Sequence, residues 1–113
     1  MNKIFNAFNL TPFSKVNRTR ALGAEVILEG RNLNECEATV DRIISDRGMT
    51  LIHPYDDPLV IAGQGTVGLE ILQQVPDLDE LIVPIGGGGL MAGIALIARE
   101  IKPKIKLIGV ESV

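Results

Sequence analysis

Short apolar runs alternate with longer stretches of helical spacing along most of this chain. The apolar runs predict four strands, and the stretches before and between them predict four helices. The strands fall at residues 24–28, 50–52, 81–85 and 105–110, and the helices at residues 11–22, 34–47, 60–75 and 90–101. Alternation of helices with apolar strands is typical of an α/β fold with a parallel sheet and flanking helices. Residues 1–10 show no period and are expected to form an arm.

Residue types near the ends of the first two helices support their boundaries. Thr11 followed by Pro12 is typical of an N-cap and a proline at the first helical position. Asn34, with Glu37 three residues later, resembles a capping box in which asparagine is the cap. We therefore expect these helices to begin at these two places.

The third and fourth predicted helices have unusual compositions. In the third, each of three glycines would cost about 1 kcal/mol relative to alanine, and close packing against another backbone would explain them. These glycines are Gly63, Gly65 and Gly68. The fourth helix is apolar on nearly every side, so we expect it to be buried all round.

Composition and charge restrict the class of protein. The chain has 113 residues, is 46% hydrophobic and carries a formal net charge of −3, so we expect a soluble globular protein without a nucleic-acid or membrane partner. The longest strongly apolar run, residues 90–98, is too short to span a bilayer. No secretory signal is recognised, and Cys36 is the single cysteine. A cytoplasmic protein without a disulfide framework is therefore expected.

Four consecutive glycines, Gly86–Gly89, separate the third predicted strand from the fourth helix. Open α/β sheets bind ligands at such corners, beyond the carboxyl ends of their strands. The first turn of a helix leaves backbone N–H groups unpaired, and the helix dipole adds partial positive charge. Because glycine has no β-carbon, several of these N–H groups can converge on one anion. The pattern predicts a phosphate site, and the alternative is a tight turn without a ligand.

The residues around the glycines restrict which phosphate could bind. A P-loop requires lysine and serine or threonine after its last glycine, whereas Leu90 and Met91 stand there, which disfavours nucleotide hydrolysis. A small NAD-type dinucleotide-binding domain stays open. Its glycine pattern would be formed by Gly87, Gly89 and Ala92, with Glu111 as the ribose-binding carboxylate. A non-catalytic module that associates with itself is a third alternative.

Three segments carry a resemblance to a known family. They are RALGAEVILEG, HPYDDPLVIAGQGT and LIVPIGGGGLMAGIALIA. Together they resemble the threonine dehydratase (threonine ammonia-lyase) and serine racemase family, fold-type II enzymes that depend on pyridoxal 5'-phosphate. The resemblance extends from Leu10 to Val113. It implies a partial fold-type II fold, with residues 11–57 from the small domain and residues 58–113 from the large cofactor-binding domain.

The resemblance also implies an activity and site residues. The activity is the deamination of L-threonine or L-serine, and the products from threonine are 2-oxobutanoate and ammonia. In the family, a lysine forms a Schiff base with the cofactor. The phosphate would be held by the backbone of Gly86, Gly87, Gly88, Gly89 and Leu90. In some members a glutamate that matches Glu111 binds a divalent cation such as Mg²⁺ or Ca²⁺. The alternative for Glu111 is a surface carboxylate at the end of a strand.

The family's Schiff-base lysine lies before the segment that this chain resembles. The stretch Phe13-Ser14-Lys15 superficially resembles the family's lysine segment, which is of the Ser-Phe-Lys-x-Arg type. The order and spacing of the residues differ, however, and we expect Lys15 on a surface helix. No catalytic residue is therefore assigned, and the isolated chain is predicted to be inactive. Incomplete domains would expose apolar edges, so a homo-oligomer is expected.

The loop before the third helix carries further polar candidates. His53 is the only histidine, and it is either held by hydrogen bonds of its own loop or takes part in catalysis. Asp56 and Asp57 are expected to be solvated loop charges.

Overall fold

The computed structural model describes residues 3–7, 9–31 and 33–111. The chain divides after Leu51 into two compact units, called here the first unit and the second unit. Each unit contains two helices and one sheet of two parallel strands. The predicted α/β class with parallel strands is confirmed, although the strands form two separate pairs within the described ranges.

The first unit is built from β1 (Ile4–Ala7), α1 (Phe13–Ala21), β2 (Glu25–Leu28) and α2 (Leu33–Arg47). β1 and β2 run parallel, with Ile4 opposite Glu25 and Ala7 opposite Leu28. The core of the unit includes Val16 of α1 and three residues on one face of α2: Cys36, Thr39 and Ile43. Two ion pairs join α2 to β2 and to the residue that follows β2. They are Glu25 with Arg47 at 2.7 Å and Glu29 with Arg42 at 2.8 Å.

Several predictions for the first unit are wrong in detail. Residues 1–10 are not an arm throughout, because β1 lies within them and pairs with β2. Pro12, not Thr11, is the residue that precedes α1, and no side chain caps that helix. α2 begins at Leu33, so Asn34 lies inside the helix and is not the cap residue that the sequence predicts. No strand forms at residues 50–52, which have no strand partner among the described residues.

The second unit is built from α3 (Pro58–Gln74), β3 (Glu80–Pro84), α4 (Gly89–Ile101) and β4 (Lys106–Val110). β3, α4 and β4 form a β-α-β unit, since the two strands pair in parallel from Glu80 opposite Lys106 to Pro84 opposite Val110. The sequence predicts all four elements with boundaries close to those observed. This arrangement places the glycine run between β3 and α4, at the carboxyl end of the sheet.

Glycines bring the backbones of α3 and α4 into contact. A β-carbon on Gly65 would lie 3.1 Å from the Gly93 carbonyl oxygen, and one on Gly68 would lie 3.2 Å from the Ile94 Cα. A β-carbon on Gly93 would overlap the backbone of Ile61 and Gly65. The predicted close packing is therefore confirmed at two of the three α3 glycines. At Gly63, a β-carbon would meet nothing within 4 Å.

Burial in the second unit is one-sided. The buried face of α4 consists of Gly89, Gly93, Ile94 and Ala98, whereas Leu96 on the same helix is 62% exposed. The expectation that this helix is buried all round is wrong for the described chain. On the sheet, Val83 is buried but Ile82 is 64% exposed and Val110 is 53% exposed. None of the helices in the described ranges is long and apolar enough to span a membrane.

Candidate functional site

The candidate site is the loop between β3 and α4, called here the glycine loop (Gly86–Gly89). β3 ends at Pro84, and the Ile85 N–H that follows donates to the Val110 carbonyl at 2.8 Å, which fixes the start of the loop to β4. Gly89 is both the last residue of the loop and the first of α4, and Gly88, the residue before α4, has a φ of +89°. A side chain would strain the backbone in this left-handed region, so glycine is required there.

Unpaired backbone N–H groups collect at the start of α4. The first helical hydrogen bond runs from the Ala92 N–H to the Gly88 carbonyl at 2.9 Å. The N–H groups of Gly88, Gly89, Leu90 and Met91 therefore have no acceptor within the helix. They lie at the positive end of the α4 dipole, which makes this end of the helix a suitable position for an anion.

The glycines of the loop differ in how much space surrounds them. A β-carbon on Gly86 or Gly88 would meet no atom within 4 Å, whereas one on Gly87 or Gly89 would collide with Tyr55. The open space at Gly86 and Gly88 lets a small anionic group approach the backbone, and no side chain of the loop can obstruct it. These residues fit the phosphate group of a cofactor. The structure brings Gly86, Gly87, Gly88, Gly89 and Leu90 together as one continuous loop and first helical turn.

His53 is held by its own loop. Its Nδ1 atom accepts a hydrogen bond from the Asp56 N–H at 2.7 Å and a weaker one from the Tyr55 N–H at 3.4 Å. Its ring also meets the Tyr55 ring edge to face, with 4.7 Å between centroids. These contacts support the first of the two alternatives for His53, a histidine held by hydrogen bonds of its own loop. Tyr55 itself was missed, because no local pattern indicates that it contacts glycines so distant in the sequence.

Asp57 has a structural role that the sequence analysis did not predict. Its carboxylate accepts hydrogen bonds from the N–H groups of Leu59 at 2.8 Å and Val60 at 3.2 Å. Asp57 is thus the N-cap of α3, with Pro58 at the first helical position. A cap followed by proline is a recognisable signal for a helix start. The expectation that Asp57 is only a solvated loop charge is therefore wrong.

The remaining candidates, Lys15 and Glu111, are both exposed. Lys15 lies exposed on α1, as predicted. Glu111 is exposed and follows the end of β4. Within the described ranges no three His, Cys, Asp or Glu residues come together to hold a metal ion, so a metal role for Glu111 stays a prediction.

Cys36 is the one cysteine, and it is buried in the first unit. It is 8% exposed, and its Sγ donates to the Glu29 carbonyl at 3.2 Å. Burial, and to a smaller extent the negative charge of Glu35, raise the pKa of the Cys36 thiol. A thiol kept protonated in this way is a poor nucleophile, which agrees with a structural role.

Known proteins of similar sequence belong to one family of enzymes. Residues 8–113 match the family described as "Pyridoxal-phosphate dependent enzyme". Over 102 residues the chain is 55% identical to an L-threonine ammonia-lyase of Geobacter sulfurreducens, covering 90% of this chain and 25% of that protein. It is 51% identical over 102 residues to the biosynthetic L-threonine dehydratase IlvA of Haemophilus influenzae, covering 90% of this chain and 20% of that protein.

A solved structure shows the same fold. Maize serine racemase superposes with a TM-score of 0.92 at 38% identity, over 98% of this chain and 34% of that chain. The chain thus spans a fifth to a quarter of the curated relatives described above. The resemblance identified in the sequence is confirmed, and this chain belongs to the pyridoxal-phosphate-dependent enzyme family.

Proposed function

We propose that this chain supplies the phosphate-binding part of a pyridoxal-phosphate-dependent lyase that acts on L-threonine or L-serine. For threonine, the products of the whole enzyme are 2-oxobutanoate and ammonia. The identities of about half to the ammonia-lyase and dehydratase described above support this substrate class. The similarity to a serine racemase makes racemisation of a related amino acid the second candidate.

One observation carries the proposal: α4 begins with a left-handed glycine and four N–H groups that have no helical acceptor. These N–H groups, with the amides of Gly86 and Gly87, would donate to the phosphate oxygens and fix the cofactor's position. The α4 dipole would stabilise the phosphate's negative charge. When bound, the cofactor supplies a conjugated ring that accepts electrons as the substrate loses its Cα proton.

Further proposals concern the whole protein. We assign residues 11–57 to a small domain and residues 58–113 to a large cofactor-binding domain. The division into two compact units supports an assignment to two domains, although it falls after Leu51 and places residues 52–57 with the second unit. The exposed side chains of Ile82, Leu96 and Val110 support self-association into a homo-oligomer. A cytoplasmic location without nucleic-acid or membrane partners agrees with the acidic, single-cysteine composition.

Equilibrium binding to the purified chain tests the phosphate site. Pyridoxine 5'-phosphate is the preferred probe, because it lacks the aldehyde that would react with surface lysines. We expect it to bind at least about tenfold more tightly than pyridoxine, since a phosphate accepts several charge-assisted hydrogen bonds. The variant Gly88→Ala should weaken binding, because alanine disfavours the required φ. The variant Gly63→Ala, in open space on α3, should leave binding unchanged.

Two results would contradict the proposal. One is equal affinity for pyridoxine and its phosphate. The other is tighter binding of NADH than of pyridoxine 5'-phosphate, which would favour the dinucleotide-binding alternative.

A separate assay concerns activity. The chain alone, with added pyridoxal 5'-phosphate and L-threonine, is expected to form no 2-oxobutanoate above a free-cofactor blank, because no catalytic lysine is assigned in it.

A further inference from the structure

Tyr55 packs against the glycine loop at two of its residues, Gly87 and Gly89. The nearest atoms to a β-carbon built on Gly87 are in the Tyr55 ring, at distances that real β-carbons do not allow. A β-carbon built on Gly89 would lie 2.8 Å from the Tyr55 carbonyl oxygen and 3.0 Å from its Cα. One residue thus supports two glycines of the loop, with its ring on one and its backbone on the other.

His53 contacts both the backbone and the ring of Tyr55. Its Nδ1 accepts from the backbone N–H groups two and three positions ahead, at Tyr55 and Asp56. This is the pattern by which an asparagine side chain fixes a turn. The edge-to-face contact between the His53 and Tyr55 rings, with an interplanar angle of 82°, fixes the tyrosine ring as well. Both the backbone and the side chain of Tyr55 are therefore held by the same histidine.

We propose that Tyr55 and His53 are positioning residues of the phosphate site. Tyr55 supports the glycine loop at Gly87 and Gly89, and His53 orients Tyr55. This inference rests on the proposed function, because it concerns the same loop. It goes further because it assigns roles to Tyr55, which contacts the loop, and to His53, which contacts Tyr55. Neither side chain is expected to touch the phosphate.

The physical reason lies in the glycines themselves. Residues without side chains lose more conformational entropy on ordering than any others. If the loop became ordered only when the anion bound, the lost conformational entropy would weaken binding. A loop that is already held in place avoids this loss of affinity. The Ile85 N–H fixes one end of the loop to Val110, and α4 fixes the other. Tyr55 supplies the support between these ends, at Gly87 and Gly89.

Four variants in two matched pairs test the inference. Tyr55→Ala removes the ring that supports Gly87, and Tyr55→Phe keeps it. His53→Ala removes the acceptor, and His53→Asn replaces it with a side-chain oxygen that can accept the same two N–H groups. For each we would measure the affinity for pyridoxine 5'-phosphate, the ¹⁵N–¹H amide shifts of Gly86–Leu90 in the free chain, and the far-ultraviolet circular dichroism.

The expected affinities separate the pairs. Tyr55→Ala should bind about tenfold more weakly and His53→Ala about threefold to tenfold more weakly, the range expected for loss of one or two hydrogen bonds or an aromatic contact. Tyr55→Phe and His53→Asn should stay within about twofold of the unmodified chain. The glycine-loop amide shifts should move in both alanine variants, while the circular dichroism spectrum stays the same. This rescue by conservative variants would not be expected if the residues only added general stability.

Failure of the inference and failure of the proposed function give different results. If the unmodified chain binds pyridoxine 5'-phosphate and Tyr55→Ala binds it equally well, Tyr55 is not a positioning residue, and the phosphate site stands. If the unmodified chain does not bind the probe, the proposed function fails and the role at that site fails with it. Glycine-loop amide shifts that do not change in Tyr55→Ala would independently overturn the claimed support. Equal losses in His53→Asn and His53→Ala would overturn the role assigned to Nδ1.

Discussion

The ring of Tyr55 occupies the space that a β-carbon on Gly87 would need, although the two residues lie far apart in the sequence. Glycine at this position is therefore required by the protein's own packing. At Gly86 a β-carbon would meet nothing within 4 Å, so packing gives no reason for glycine there. The proposed phosphate site would explain glycine at this position, because a ligand can approach a backbone that carries no side chain. Under that proposal, neighbouring glycines of one loop serve different purposes.

This relationship predicts coupling between Tyr55 and Gly87. Gly87→Ala should lower the free energy of unfolding by about 1–3 kcal/mol, the usual cost of inserting a methyl group into filled space. In a chain that also carries Tyr55→Ala, the same substitution should cost less than half as much, because the space is then empty. Urea denaturation of the four chains in this cycle gives the coupling energy. Additive effects would show that the ring does not determine the need for glycine.

The α3–α4 contact predicts opposite effects for two glycine-to-alanine substitutions. Gly63→Ala should raise the free energy of unfolding by up to about 1 kcal/mol, because alanine favours the helix and its β-carbon meets nothing. Gly93→Ala should lower it by about 1–3 kcal/mol or more, because its β-carbon would overlap the α3 backbone. Urea denaturation followed by circular dichroism measures both. Equal stabilisation by the two substitutions would contradict the close approach of these helices.

The cap of α3 gives a third prediction. Asp57→Ala should lower the free energy of unfolding by about 1 kcal/mol, since the N–H groups of Leu59 and Val60 lose their acceptor. Asp57→Asn should recover most of this loss, because asparagine is an equally good cap. Asp56→Ala is the matched control, since the Asp56 carboxylate accepts none of the hydrogen bonds in the described ranges. Comparable losses at both aspartates in thermal unfolding would argue against a specific cap.

Sequence patterns predicted the second unit better than the first, for physical reasons. In the second unit, Pro58, Pro84 and the glycine run mark the element boundaries locally. In the first unit, β1 depends on pairing with β2, and its four residues show no period by themselves. The sequence Thr50-Leu51-Ile52 resembles a short strand, yet no described strand pairs with it, and Leu51 and Ile52 are exposed. Local patterns therefore mislead where a distant partner decides the structure.

The same limit applies to the candidate site. The glycine loop was predicted because strand, glycines and helix are adjacent in the sequence. The support from Tyr55 could not be predicted, because it depends on a contact between α4's first turn and the segment before α3. The Asp57 cap, by contrast, is indicated locally by the Asp57-Pro58 pair, although two adjacent aspartates in a loop also suggest solvated charges.

The environment of Cys36 predicts slow alkylation with a shifted pH dependence. Because burial and the charge of Glu35 raise the pKa of the thiol, less thiolate is present at a given pH than in an exposed cysteine. Iodoacetamide should therefore react much more slowly with the native chain than with the chain in urea, and the native rate should rise only at higher pH. Stability should fall as the pH rises above the pKa of the unfolded thiol, because the unfolded chain releases that proton first. Equal native and unfolded rates would contradict the burial of Cys36.

We propose that backbone amides at the start of α4 bind the cofactor's phosphate. The decisive experiment is a titration of the ¹⁵N-labelled chain with pyridoxine 5'-phosphate, followed by ¹⁵N–¹H amide shifts. We expect the largest shifts at Gly86–Leu90, and we expect pyridoxine without phosphate to leave these amides unchanged. Largest shifts at other residues, or equal shifts with both compounds, would contradict it.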